Sequence, residues 1–130
     1  MSEPPLRLDR IGQIRINVHD IARAVAFYRD LLGMTLLFEL PEQQLAFFDC
    51  GGVRLYLGGG ESTDGTSTAV IYYSVDGLDD AHRRLAGRGV EFQIEPTTVY
   101  RLEQVEGQMA FFTDSEGNTL ALMEELPVSP

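Results

Sequence analysis

The sequence predicts an α+β domain made of two consecutive βαβββ modules. An internal repeat gives the first indication: LAFFD at 45–49 returns as MAFFTD at 109–114, with one residue inserted. In addition, each copy begins with an alternating apolar and polar segment, and apolar residues at helical spacing follow it. Each copy then ends in two strand-like segments joined by a glycine-containing turn. One structural unit is therefore expected to occur twice.

The expected boundaries follow this repeat. We predict an N-terminal tail over 1–8, a first module over 9–57, a linker over 58–68, a second module over 69–125 and a C-terminal tail over 126–130. The linker consists mainly of glycine, serine and threonine, a composition typical of a flexible connection. The two modules are expected to form one domain, because 130 residues leave little room for a second one.

In the first module, apolar and polar residues alternate over 13–18, which predicts a strand buried on one face. Asp20 is a suitable helix N-cap, and apolar residues at helical spacing run from Ile21 to Leu32. Gly33 is expected to end this helix. The rest of the module predicts three strands, over 35–40, 43–49 and 53–57.

The second module repeats the alternation over 69–75, and a helix is expected from Leu78 to Gly87. Asp79 and Asp80 lie near its start and arginines near its end, a distribution that suits the helix dipole. Three further strands are predicted over 90–94, 108–113 and 119–124, with 97–107 as a longer loop or edge segment.

Charge and composition exclude several functions. Twenty acidic residues against ten basic ones give a net charge of -10, which argues against nucleic acid and anionic membranes as partners. All ten basic residues are arginines, so chemistry that requires a lysine Schiff base or a P-loop lysine is excluded. The single Cys50, the absence of a signal-like N-terminal segment and the lack of a long apolar run lead us to expect a cytoplasmic protein.

Several motifs resemble the vicinal oxygen chelate superfamily, which includes glyoxalases, bleomycin-resistance proteins, fosfomycin-resistance proteins and extradiol dioxygenases. They are the V-x-D at 18–20, FYRDLLGM at 27–34 and DSEGNTLALMEE at 114–125. The resemblance covers about residues 8 to 125. It implies a glyoxalase-like fold, in which the two modules form a curved, eight-stranded mixed sheet around a cavity. It also implies a homodimer.

The same resemblance implies a divalent metal held by the first and last strands of each module. The equivalent positions in this sequence are Gln13, Tyr56, Val70 and Ala121. Only Gln13 is a residue type that commonly binds the metal in the superfamily. For Gln13 itself, a polar side chain in the cavity wall is the preferred interpretation over a metal ligand. We therefore predict no cofactor and expect that the usual metal site is lost. A divalent metal bound through shifted ligands remains the alternative.

Ten side chains are the candidate ligand-binding residues. Most have the strand parity that places them opposite the helices, and Tyr100 is included because its ring could stack on an aromatic ligand. The set is Gln13, Arg15, Asn17, Arg54, Tyr56, Tyr72, Ser74, Tyr100, Thr119 and Met123. The tyrosines could equally serve packing alone. Arginine side chains in a cavity need a negatively charged partner. For Arg15 and Arg54 we expect that partner to be a carboxylate of the protein itself, from Glu39, Glu91 or Glu95.

These observations predict a small-molecule binding protein of the glyoxalase and bleomycin-resistance type. Its ligand is expected to be aromatic or cationic, since the acidic charge disfavours anions at long range. The alternative is a metal-dependent lyase, isomerase or extradiol-type dioxygenase that uses Gln13, Tyr56 or Tyr100 with a glutamate such as Glu91 or Glu124. A structural or regulatory module with a filled cavity is a third possibility. The sequence leaves open whether the protein is an enzyme, and His19, His82 and Cys50 receive no catalytic role.

Overall fold

A computed structural model describes residues 4–59 and 66–128 of the chain. Part of each predicted tail and most of the predicted linker, residues 60–65, lie outside the described residues. The proposed module boundaries therefore stay predictions, although the elements on either side of the linker are defined.

The first module contains one helix and four strands. In chain order they are β1 (Gln13–Asn17), α1 (Ile21–Ala26), β2 (Thr35–Leu40), β3 (Leu45–Cys50) and β4 (Val53–Gly58). Asp20 caps α1, because its carboxylate accepts a hydrogen bond from the Arg23 N–H at 3.0 Å. The helix continues through a wider, π-type turn over Phe27–Leu31, and Gly33 follows at a φ of 74°.

The second module repeats this order with longer strands. It contains β5 (Ile71–Ser74), α2 (Leu78–Gly87), β6 (Phe92–Arg101), β7 (Val105–Thr113) and β8 (Thr119–Pro127). The first sheet has the strand order β1-β4-β3-β2 and the second has β5-β8-β7-β6. In both sheets the first and last strands of the module pair in parallel. The predicted α+β fold is confirmed, with its eight strands divided between two four-stranded mixed sheets.

The segment predicted as a loop or edge over 97–107 is mostly strand. The edge part of that expectation agrees with the structure, since β6 is an edge strand. Proline removes a ladder hydrogen bond, and the pairing with β7 is irregular between Ile94 and Thr97, where Pro96 lies. The strand continues to Arg101, and β8 extends to Pro127 to pair with the lengthened β7.

Both helices pack on one side of the sheets, and one hydrophobic core includes residues of both modules. We call the sheet face that contacts this core the inner face, and the opposite one the outer face. The largest fully buried side chains include Tyr28, Phe48 and Phe112. Alternation along β1 shows the division: Ile16 is 4% exposed on the inner face, whereas its neighbour Arg15 is exposed on the outer face.

Candidate functional site

Three aromatic rings follow one another across the outer face of the first sheet. We call Phe38, Phe47 and Tyr56 the aromatic strip. The ring centroids of Phe38 and Phe47 are 4.7 Å apart, and those of Phe47 and Tyr56 are 4.6 Å apart. The strand register produces this strip, because Phe47 lies opposite Phe38 in β2 and opposite Tyr56 in β4. The ring planes are tilted by 36° and 33°, so the strip is a continuous but uneven aromatic surface on which a planar ligand can pack.

Two arginines lie over this strip. The Arg15 guanidinium is 5.0 Å from the Tyr56 ring centroid, and its Nη1 donates to Tyr56 Oη at 3.4 Å. The Arg54 guanidinium is 5.4 Å from the Phe47 ring centroid. Gly58 leaves space for Arg15, since a Cβ at that position would lie 2.7 Å from the guanidinium. The face therefore combines aromatic surface with positive charge.

The expected pairing of these arginines with Glu39, Glu91 or Glu95 is wrong for the described residues. Within 4–59 and 66–128, neither Arg15 nor Arg54 forms an ion pair. The physical reason is their position on the adjacent strands β1 and β4, where each guanidinium lies over an aromatic ring; even Asp49, the cross-strand neighbour of Arg54, forms no ion pair with it. Glu39 lies on the distant edge strand β2.

The remaining two predicted residues of β1 also lie in the first sheet. Gln13 is beside Arg54 in the strand register, and Asn17 is beside Gly58. The Asn17 side-chain oxygen accepts from Arg15 Nε at 3.4 Å, so these polar groups extend the charged region along β1.

The other five predicted residues lie in the second sheet. Its strand register places Tyr72 beside Ala121, and Ser74 beside Met123. The Tyr72 ring packs edge-on against Phe111, with centroids 5.9 Å apart. Tyr100 lies over Gly107, where its hydroxyl donates to the Glu125 carboxylate. Thr119 begins β8 opposite Thr113.

Three of the ten predicted residues line one cavity. Arg54, Tyr72 and Ser74 contribute to a space of about 250 Å³, together with residues not predicted for the site, such as Cys50 and Tyr73. The other seven do not line it. Burial, followed by the charge of Asp49, raises the pKa of the Cys50 thiol, so this cysteine is not activated as a nucleophile.

Sequence reasoning missed Phe38 and Phe47 as site residues. Phe47 and Asp49 are two residues apart on β3, so their side chains lie on the same face, and Asp49 is exposed. The repeat also aligns Phe47 with Phe111, which lies on the outer face of the second sheet. That parity was a usable signal. The position of Phe38 was harder to predict, because the register of β2 shifts between Leu36 and Phe38.

The two histidines lie away from the aromatic strip. His82 packs edge-on against Phe92, with ring centroids 4.5 Å apart. At the start of α1, the His19 backbone N–H donates to Glu116 at 2.7 Å. His82 therefore packs within the second module, and His19 lies at the corner between β1 and α1.

The residues at the four expected metal positions do not fit a divalent ion. They offer the amide of Gln13, the phenol of Tyr56 and the hydrocarbon side chains of Val70 and Ala121. The two groups with donor atoms are beside guanidinium groups: Arg15 donates to Tyr56 Oη, and Arg54 neighbours Gln13 in the strand register. Within the part of the chain that the structure describes, no group of three or more His, Cys, Asp or Glu side chains could hold a metal ion.

Comparison with known proteins agrees with this fold. The sequence model of the Glyoxalase/Bleomycin resistance protein/Dioxygenase superfamily matches residues 10–122. The chain belongs to this superfamily. The match spans both modules, so the predicted resemblance is confirmed for the whole repeat.

Individual proteins are similar to this chain at low identity. The uncharacterized protein YraH of Bacillus subtilis (strain 168) is 24% identical, over 90% of this chain and 99% of that protein. Lactoylglutathione lyase from Agrobacterium tumefaciens has a similar structure, with a TM-score of 0.74, 21% identity and coverage of 93% and 95% of the two chains. A superfamily protein from Nocardioides has a TM-score of 0.73 and 26% identity, with coverage of 97% and 86%.

The helices of this superfamily member are short. Among the residues that the structure describes, none is long and apolar enough to cross a membrane.

Proposed function

We propose that this protein binds a small planar aromatic ligand on the outer face of its first sheet, without a metal ion. The observation that carries the proposal is the aromatic strip, with Arg15 and Arg54 lying over its rings. An aromatic surface with a few placed polar groups is the usual form of a small-molecule site. The strip remains partly accessible, since Phe38 at one end is 44% exposed and Phe47 and Tyr56 are half-buried.

The two arginines favour a ligand that also carries a negative group. A guanidinium already stacked on a ring is preorganised, and its free N–H groups can bind a carboxylate. The net charge of -10 acts at long range and favours cations, but at contact distance the nearest charges of the strip are positive. An aromatic carboxylate therefore fits this face better than a cationic ligand.

Loss of the superfamily's metal chemistry is part of this proposal. The donor set at Gln13, Tyr56, Val70 and Ala121 and the neighbouring guanidinium groups support it. The protein is then a binding protein in the manner of the resistance proteins of the superfamily, and it sequesters its ligand by enclosure.

A second copy of the chain is expected to help enclose the ligand. The outer edge strand β2 exposes Leu37 and Leu40, and β6 exposes Val99, a pattern that favours burial of these edges against another subunit. We therefore propose a homodimer, and we retain the expectation of a cytoplasmic location. Light scattering of the purified protein tests the dimer, and a monomeric mass would contradict it.

The binding proposal is tested by calorimetry with a panel of aromatic carboxylates, their neutral amides and aromatic cations. Phe47→Leu removes the central ring of the strip, and Phe111→Leu is the matched control because the repeat aligns the two residues. We expect at least one carboxylate to bind, with roughly tenfold or greater weakening in Phe47→Leu and little change in Phe111→Leu.

The same titrations are repeated after chelation and with added manganese, iron, zinc or nickel. Affinities that do not change support metal-independent binding. Binding that requires one of these ions, or equal losses in the two phenylalanine variants, would overturn the proposal.

A further inference from the structure

A second cavity lies on the inner side of the second sheet, away from the aromatic strip. Its volume is about 390 Å³, which is within the range of small-molecule sites. The residues after the first module's helical segment contribute Met34, α2 contributes Leu85, and the sheet contributes Tyr73 and Phe112. Because this cavity is formed by inner-face residues and by both helical segments, it is independent of the function proposed above.

Tyr73 lines this cavity and also the smaller one of about 250 Å³, and its hydroxyl is the one unsatisfied polar atom in the lining among the described residues. The Tyr73 hydroxyl is buried and has no hydrogen-bond partner among the described residues. Leaving a buried hydroxyl without a partner costs about 1–3 kcal/mol, so such groups in native proteins usually have a partner that is a water or a ligand. Burial raises the pKa of Tyr73 far above its ordinary value, and the charges of Cys50 and Asp114 add to the shift. The hydroxyl therefore stays protonated and is available to donate.

Two arginines of α2 complete the lining. Arg88 Nη1 donates to the Leu31 carbonyl at 2.8 Å, which fixes the guanidinium while leaving its other N–H groups available. Arg84 also lines the cavity, and its nearest carboxylate oxygen, on Asp80, is 3.9 Å away. The presence of Asp80 favours a monoanion over a phosphate dianion.

We propose that this cavity binds a small organic carboxylate with an apolar body and a hydrogen-bond acceptor at its far end. The carboxylate would bind Arg84 and Arg88, the body would pack on the apolar lining, and the far acceptor would take the Tyr73 hydroxyl proton in a hydrogen bond. A single aromatic ring with a para oxygen has these features. The probe is therefore 4-hydroxyphenylacetate.

Calorimetry compares this probe with phenylacetate, which lacks the far oxygen, and with 4-hydroxyphenylacetamide, which lacks the charge. On the wild-type protein we expect 4-hydroxyphenylacetate to bind at least roughly tenfold more tightly than either. In Tyr73→Phe, 4-hydroxyphenylacetate should bind no more tightly than phenylacetate. In Arg88→Ala, the difference in affinity between 4-hydroxyphenylacetate and 4-hydroxyphenylacetamide should decrease. Glu95→Gln, an exposed substitution outside this cavity and outside the aromatic strip, is the control and should bind as the wild type does.

Methionine methyl NMR locates the bound probe, because Met34 lines the cavity while Met109 and Met123 pair on the outer face of the second sheet. The Met34 signal alone is expected to shift. Absence of binding, unchanged binding in Tyr73→Phe, or binding that leaves the Met34 signal unshifted would overturn the proposal. A decrease in the melting temperature of ligand-free Tyr73→Phe would also overturn it, because the hydroxyl would then be satisfied by an internal water.

Discussion

The two β-hairpin turns that the repeat aligns differ sharply in what they do. Asp49 begins the first turn, lies exposed and accepts one hydrogen bond, from the Gly52 N–H at 3.3 Å. Asp114 begins the second turn and is buried. Its carboxylate accepts hydrogen bonds from the backbone N–H groups of Glu116 and Asn118, both at 2.8 Å, and from the Tyr28 hydroxyl at 2.6 Å.

The second turn also joins the modules. Glu116 accepts hydrogen bonds from the backbone N–H groups of His19 and Asp20, at 2.7 and 2.8 Å, where α1 begins. The Asn118 side chain donates to the Asn17 carbonyl at 2.8 Å. We call Asp114, Glu116 and Asn118 the clasp. The strand pairing closes on two residues in the first turn and on five in the second, so the comparison teaches that one copy of a duplicated turn can be lengthened and used for assembly.

The largest expected effect comes from Asp114→Ala set against Asp49→Ala. Asp114→Ala leaves buried donors without an acceptor, which should lower the free energy of unfolding by about 3–4 kcal/mol. Asp49→Ala removes one exposed hydrogen bond and should cost less than about 1 kcal/mol. Urea unfolding followed by circular dichroism measures both values.

Similar urea dependences, or m-values, in the two variants would show that the same amount of surface is exposed on unfolding. Equal losses of stability in the two variants would contradict the asymmetry of the turns.

The second prediction concerns the charge of Glu116. Burial by itself raises its pKa, but hydrogen bonds outweigh burial and hold the pKa at about 2; the donors are Arg23, Asp20, Ser115 and His19. Because the pKa is lowered below its ordinary value of 4.5, the carboxylate stabilises the fold above that pH, and this contribution is lost as the pH falls toward 2. Glu116→Gln should therefore cost about 2 kcal/mol at pH 7 and progressively less below pH 4.5.

Urea unfolding between pH 7 and 3 tests this dependence, with Glu95→Gln as an exposed control that should parallel the wild type. A gap between wild type and Glu116→Gln that stays constant down to pH 3 would show that the charge of Glu116 is not the stabilising feature.

The fold could be predicted from the sequence because its evidence is local and occurs twice. Alternation over 13–18 and the LAFFD repeat identify the strands and their order without any tertiary information. The clasp could not be predicted in this way, because it depends on a contact between residues about 100 positions apart, such as Asn118 and Asn17. The one available signal was the polar DSEGN turn in the place where the first copy has glycines.

The candidate site was only partly predictable for a related reason. Strand parity identifies Arg15 and Arg54 as outer-face residues, but it does not show which side chains they meet across the sheet. Their partners, Tyr56 and Phe47, follow from the register of neighbouring strands, and register depends on hairpin geometry and bulges.

A smaller effect is expected from the pair Tyr28→Phe and Tyr73→Phe. Tyr28 belongs to the buried core and Tyr73 packs against it, but the Tyr28 hydroxyl donates to Asp114 while the Tyr73 hydroxyl has no partner among the described residues. Tyr28→Phe should cost about 1–2 kcal/mol, and Tyr73→Phe should leave the stability unchanged or slightly increased. Thermal unfolding of the ligand-free variants compares them, and the reverse order would contradict the clasp.

The smallest effect is expected at the start of α2, where the second module caps its own helix. Glu124 accepts hydrogen bonds from the Gly77 and Leu78 N–H groups, at 2.7 and 2.9 Å, and these bonds lower its pKa. Glu124→Gln keeps one acceptor but removes the charge that favours a helix N-terminus, so a slight decrease in melting temperature is expected at pH 7. The decrease should vanish as the pH falls and the carboxyl becomes protonated. A loss as large as that of Glu116→Gln would mean that a cap within one module stabilises the fold as much as the clasp between modules.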